Sequence, residues 1–197
     1  MEIIGDCAAN EVMAPLGSAG TINLRGAGSS VRLAADCATS PGFWIDVGSD
    51  CSIDIAENCT LHNLFIHCGD RVRIRVGRDS GFSGHCRLLA HEPGSISIGN
   101  GCLFGGDVDI SVSDMHSIVE VSSGRRLNPP ADVEIDDRVW VGQRSLLLKG
   151  TTIGVGTVVG AGAVVTSTLP GNSLCVGVPA RVVRSGISWH HELLPLD

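Results

Sequence analysis

His116 stands in the run Ser113-Asp114-Met115-His116-Ser117. A neutral imidazole, with a reference pKa of about 6.5, can take a proton from a hydroxyl near neutral pH. Asp114, two residues away, would orient that ring if both side chains fall on one side of an extended segment. The plainer alternatives are a solvated loop histidine and an aspartate that caps a turn. Arg125, Arg126 and Asn128 follow in the same segment. They could hold an acidic acceptor, or stay solvated. Trp140 comes next and would serve as an apolar plug beneath the segment. A second chemistry is also open. His62 and His67 are five apart, with His85 and His91 nearby, so residues of zinc-ligand type are present.

Something rigid must position these groups. Residues 135–165 supply it, because they repeat every six positions. Ile135, Val141, Leu147, Ile153, Val159 and Val165 form an unbroken aliphatic column. Four positions after each comes Val139, Ser145, Thr151, Thr157 or Ala163, always small or short-branched. A period of six fits neither the 3.6 of a helix nor the 2 of a simple strand. Fixed-period self-similarity marks a stacked solenoid. Three six-residue faces make one 18-residue coil, so Ile135 should stack on Ile153, Val141 on Val159 and Leu147 on Val165.

Composition agrees. The chain has 197 residues and reads as one elongated domain over 1–186 with a C-terminal tail over 187–197. Gly is frequent at 26 residues, placed where tight corners would need positive φ. Aromatics are few, with no Tyr, which suits a narrow prism filled by Ile, Val and Leu. The net charge of −7 argues against a nucleic-acid surface. No 18-residue apolar run exists to span a membrane. The start, MEIIGDCAAN, lacks a basic region and an apolar core, which predicts a cytoplasmic protein.

Eight cysteines invite a disulfide or metal reading. Their register argues otherwise. Cys7, Cys37, Cys51, Cys59, Cys86 and Cys102 each lie four after an apolar position, the slot that Ser, Thr and Ala fill later. There they should act as small buried hydrophobes with reduced thiols.

Residues 1–32 carry a ragged repeat, as terminal coils usually do. Ile55 to Val76 spans 21 positions and Val76 to Ile98 spans 22, so short loops should bulge from the corners. The period breaks over 111–134, an excursion of the size that usually serves function or mobility.

Aliphatic-Gly blocks, then S-D-M-H-S, V-W-V-G, G-A-G-A-V-V-T and V-G-V-P-A-R-V-V-R, resemble the hexapeptide-repeat acyltransferases. Within that superfamily the chain is most similar to bacterial glycan and capsule sugar O-acetyltransferases. The match is dense over 98–186 and loose before it. The resemblance implies an all-β fold, a left-handed parallel β-helix with a protruding loop around 111–134. It also implies a homotrimer with active sites between subunits, acetyl-coenzyme A as co-substrate, no metal, and a saccharide acceptor. His116 would be the general base, and backbone N–H groups would hold the oxyanion. The absence of a nucleophile elbow points to direct transfer without an acyl-enzyme.

By position, the resemblance places Trp140 as a wall of the acceptor site. It puts Gly142, Gly160 and Ala161 along the pantetheine arm, and Thr166 and Ser167 near the nucleotide. Where the family often has Thr-Lys this chain has Thr166-Ser167, so a cation is missing there. Arg181 and Arg184 remain as phosphate partners, or as surface charge at the coil end. Three other readings use the same prism: an N-acetyltransferase on an amino sugar, a trimeric zinc carbonic anhydrase, and a non-catalytic binder.

Overall fold

The computed structural model describes residues 1–15 and 17–196. Apart from a short 3-10 turn at Cys7–Ala9, every regular element among them is a β-strand. The strands are built on a period of two: Val72–Val76 runs buried, exposed, buried, exposed, buried. They form three parallel sheets, the faces of a prism. Face I carries Glu2–Gly5, Thr21–Leu24, Trp44–Val47, Phe65–Cys68, Arg87–Ala90, Asp109–Ser111, Leu146–Leu147 and Val164–Val165. Face II runs from Glu11–Met13 through Val72–Val76 to Thr152–Ile153. Face III runs from Ala38–Thr39 through Trp140–Val141 to Ser173–Val176 and Arg181–Ser185. From Thr21–Leu24 to Val164–Val165 the chain visits I, II and III in turn, and each strand pairs with its counterpart in a neighbouring coil.

The three expected stacks are present. Ile135 pairs with Ile153, Val141 with Val159 and Leu147 with Val165, and all six are buried. The earlier coils differ from expectation. Ile55 pairs with Val76 and Val76 with Ile98, but the extra residues do not bulge from corners. They lengthen the strands of faces I and II to four or five residues, against two or three in the last coils. The wider prism holds the large side chains Phe43, Phe82 and Phe104, all fully buried.

The small position does more than save space. Its side chain donates a hydrogen bond to a carbonyl of the next coil. Cys51 Sγ reaches Gly69 O at 3.0 Å, Cys86 Sγ reaches Gly105 O at 3.0 Å, and Cys102 Sγ reaches Asp136 O at 3.2 Å. Ser80, Ser145 and Thr157 do the same, Thr157 Oγ1 meeting Pro170 O at 2.7 Å. Cys, Ser and Thr interchange here because each is short and carries one proton. Burial pushes the Cys102 thiol up to about 11, so it stays a donor. All eight thiols are free. Cys7 is the exception to the expected burial: it sits in the exposed 3-10 turn, outside the column. Thr157→Val keeps the shape and removes the donor. It is expected to cost about 1–2 kcal/mol in chemical denaturation, because Pro170 O is left unpaired.

Corners also depart from the simple glycine rule. Asp50, Asn58, Asn63, Asp79, Asp107 and Asn172 take φ between 49° and 59°. Several glycines serve close approach instead. A Cβ on Gly142, whose φ is ordinary, would fall 2.6 Å from Ala161 N in the coil above.

At the C-terminal end, Ser173–Val176 meets Arg181–Ser185 in an antiparallel ladder. The following segment crosses face III. Trp189 is 7% exposed and its Nε1 donates to Arg138 O at 2.6 Å. Among the described residues no helix is long and apolar enough to cross a membrane.

Candidate active site

After Ser111 the chain leaves the prism between faces I and II and rejoins face II at Val133. Ile98 therefore pairs with Ile135, 37 positions on. The excursion begins with a strained residue. Met115 takes φ +61°, a left-handed conformation that costs a side chain of this kind about 1 kcal/mol or more. The next amide, His116 N–H, donates back to Asp114 O at 2.7 Å. The His116 side chain stands exposed at the tip of this turn.

Asn128 holds the turn in place. It is 7% exposed, although the loop around it is open to solvent. Its Nδ2 donates to Asp114 Oδ2 at 2.7 Å and to His116 O at 2.8 Å. Its Oδ1 accepts from Ile118 N at 2.7 Å and from Arg126 Nε at 3.2 Å. One amide thus ties both ends of the excursion to the residue that would do the chemistry. Arg126 is itself fixed by a two-pronged ion pair with Glu92, at 2.6 and 2.7 Å. Lys149, one coil above, donates to Asp114 Oδ2 at 2.5 Å and to Pro129 O at 3.1 Å.

These contacts set the local charges. The Lys149 ammonium, then Asn128, hold the Asp114 carboxyl below the usual aspartate range. The Arg126 fork lowers Glu92 in the same way. Both folded values lie below the unfolded ones. The ties are therefore fully present above the ordinary carboxylate range of about 4. They are lost as pH falls below it. Hydrogen exchange at the Ile118 amide, followed from pH 6 to pH 3, is expected to show the loop loosening only in that lowest range.

The sequence-derived residues fall into two groups. His116, Asp114, Asn128, Thr166 and Ser167 lie at or above the corner where face I turns into face II. Asp114 shares that corner, but its carboxylate points to Lys149 and Asn128 rather than to the His116 ring. Arg125 is exposed and faces Glu120 at 4.0 Å. Asn128 is buried as a clamp. Trp140 lies on face III, 40% exposed, with its ring 6.1 Å from that of Trp189. Gly142, Gly160 and Ala161 follow face III at its corner with face I. Arg181 and Arg184 are exposed on the last strand of face III. Within one chain, face I separates the two groups.

Lys149 and Glu92 did not stand out in the sequence. Excising the excursion would have brought Lys149 into view, since it follows Leu147 as Val112 follows Ile110, its ladder partner. Of the four mid-chain histidines, His67 and His91 come together, with ring centroids 4.3 Å apart. His62 lies on the face III side near His191, and His85 sits at a corner with φ +50°. Among the described residues no group of three His, Cys, Asp or Glu could hold a metal ion.

No family model matches the chain. Curated relatives do. The chain is 30% identical over 129 residues to a polysialic acid O-acetyltransferase of Neisseria meningitidis, covering 65% of this chain and 50% of that one. It is 32% identical over 112 residues to the galactoside O-acetyltransferase of Escherichia coli, covering 56% and 53%. The chain thus spans about half the length of these two relatives. Among solved structures, the polysialic acid O-acetyltransferase OatWY superposes with a TM-score of 0.88 at 24% identity, covering 98% of this chain and 92% of that one. At that identity the likeness is one of fold. These relatives are hexapeptide-repeat O-acetyltransferases, and this chain is homologous to them and shares their left-handed parallel β-helix.

Proposed function

We propose that the protein transfers the acetyl group of acetyl-coenzyme A to a hydroxyl of a saccharide, with His116 as general base. The observation that carries this is the clamped turn: an exposed imidazole on a strained backbone, fixed by a buried Asn128 at the edge of a rigid prism. Such a ring has nothing structural to do. It accepts the proton of the acceptor hydroxyl as the oxygen attacks the thioester carbonyl. The carbonyl oxygen gains charge and is held by backbone N–H groups of a coil edge. The tetrahedral intermediate then expels coenzyme A as thiolate, and the imidazolium returns the proton to that sulfur. No side chain carries the acyl group in this sequence.

The two separated groups of residues support a site shared between copies. His116 on one copy would meet the Trp140 and Gly142–Gly160 side of another, as a ring of three such copies allows. A groove between chains accommodates the extended pantetheine arm along the coil edges, where Gly142, Gly160 and Ala161 leave the backbone open. Arg181 and Arg184 at the coil end are then within reach of the phosphates. Eight free thiols fit a reducing compartment such as the cytoplasm.

The test is direct. The purified protein is incubated with acetyl-coenzyme A labelled in its acetyl group and a panel of bacterial glycans, and the modified position is mapped by NMR. Label should enter an ester on the sugar. Transfer only to amino groups would establish the N-acetyl alternative, and trapping of acetylated protein during turnover would overturn the direct route.

A further inference from the structure

Face I carries a second set of side chains that the reaction does not use. Trp44 and Phe65 are adjacent rungs of one outward column, paired in register. Trp44 is 38% exposed and Phe65 half-buried. His67, two residues after Phe65, points the same way, with the two rings 6.5 Å apart and inclined by only 19°. His91, one coil on, brings its ring within 4.3 Å of His67. Phe65, His67 and His91 therefore form one run of rings on face I, with Trp44 on the rung beside Phe65.

The polar groups beside the rings are held in fixed directions. Asp46 has a side chain only 15% exposed and accepts three bonds, from Asn23 Nδ2 at 2.8 Å, Arg25 Nε at 2.9 Å and His67 Nδ1 at 2.9 Å. With Nδ1 engaged by Asp46, Nε2 is the His67 ring nitrogen left for an outside partner. Burial, then His67 and Arg25, push the His91 imidazole down from its ordinary value, which favours its neutral form. Two of the nearby carboxylates are paired with a cation, Asp46 with Arg25 and Asp109 with Arg87, while Asp107 lines the neighbouring groove with no ion pair among the described residues. An open groove of about 430 Å³ runs beside Phe65, Arg87 and Asp109. Flat rings beside hydrogen-bonding groups held in fixed directions match the two sides of a sugar: its aliphatic C–H face and its hydroxyl edge.

We infer that face I binds a glycan chain that leads up to His116, so that the acceptor is an oligosaccharide or polysaccharide rather than a single sugar. The inference rests on the acyl-transfer reading of His116 and gives its acceptor a direction. From Trp44–Val47 to Asp109–Ser111 there are three strand spacings, about 14 Å. The proposed donor contacts lie on the opposite side of the His116 level, in the later coils. Acceptor and thioester would therefore approach the imidazole from opposite ends of the prism.

The test is a binding measurement made without acetyl-coenzyme A. Titration calorimetry compares maltose with maltoheptaose, a neutral arm, and digalacturonate with heptagalacturonate, an acidic arm. Affinity is expected to rise about tenfold from the short to the long probe in at least one arm. Trp44→Ala and His67→Gln should each abolish that gain, and His116→Ala should keep it. Turnover on the short probe should be unchanged in Trp44→Ala. A gain that survives both face I variants overturns the proposal, as does the absence of any gain in either arm. Full protection of Trp44 from hydroxyl-radical labelling in the free protein also overturns it, because a second copy would then occupy the face. None of these outcomes touches acetyl transfer itself, which the His116→Ala turnover measures separately.

Discussion

His116→Ala is expected to lower kcat by about 10²–10⁴-fold while leaving affinity for acetyl-coenzyme A unchanged. A base that acts only as the proton leaves contributes to the transition state and not to the ground state, so KM should hold while kcat falls. The fold has no stake in the ring. Among the described residues His116 is tied through its backbone alone, by its N–H to Asp114 O and by its O to Asn128. Thermal unfolding of the variant should therefore match the parent. Steady-state kinetics with a saccharide acceptor check the first point and calorimetry the second. A variant that keeps full turnover would move the base elsewhere and would remove the reaction proposed for this corner.

Asn128→Ala should be the next most damaging change, and by another route. It removes two donors and one acceptor from a buried position. Ile118 N–H loses its partner, and Asp114 keeps only Lys149. The local cost is about 2 kcal/mol, which would speed exchange of the Ile118 amide about thirtyfold. The imidazole would then wander, and a displacement near 1 Å costs about 10²-fold in rate. Asn128→Asp separates position from charge. It keeps the acceptor for Ile118 and Arg126 but sets a second carboxylate against Asp114. Its kcat should fall as far as that of the alanine variant while the Ile118 amide keeps more of its protection, which separates misplacement of the imidazole from loss of the loop.

The last coils were legible because their period is strict. With every sixth residue aliphatic, Ile135 has only one place to stack, and the pairing with Ile153 follows. The earlier coils were legible as coils but not in shape. Extra residues can lengthen a strand or swell a corner, and the choice depends on what fills the prism; here the phenylalanines Phe43, Phe82 and Phe104 widen it. His116 could be picked out because a reactive side chain beside a break in a period is unusual. Asn128 is legible as polar and near the site, which points to the acceptor rather than to a clamp. Its burial depends on the excursion folding back on itself, which no local pattern encodes. The same holds for Lys149 and Glu92, which meet their partners across 35 and 34 positions. The cysteine column reads as small and not as a set of donors, because a thiol and a methyl look alike in a hydrophobic pattern.

The column of donors and the parallel ladders link each coil only to its neighbours, so the molecule melts as a one-dimensional chain rather than as a sphere. Its two ends are unequal. Glu2–Gly5 is exposed along its whole length, while the other end carries a doubled-back strand and the Trp189 strap. Fraying should therefore enter from the amino terminus and consume the glycan platform before it reaches the coil that bears the imidazole. On heating, the protein would lose its preference for long acceptors first and its chemistry last.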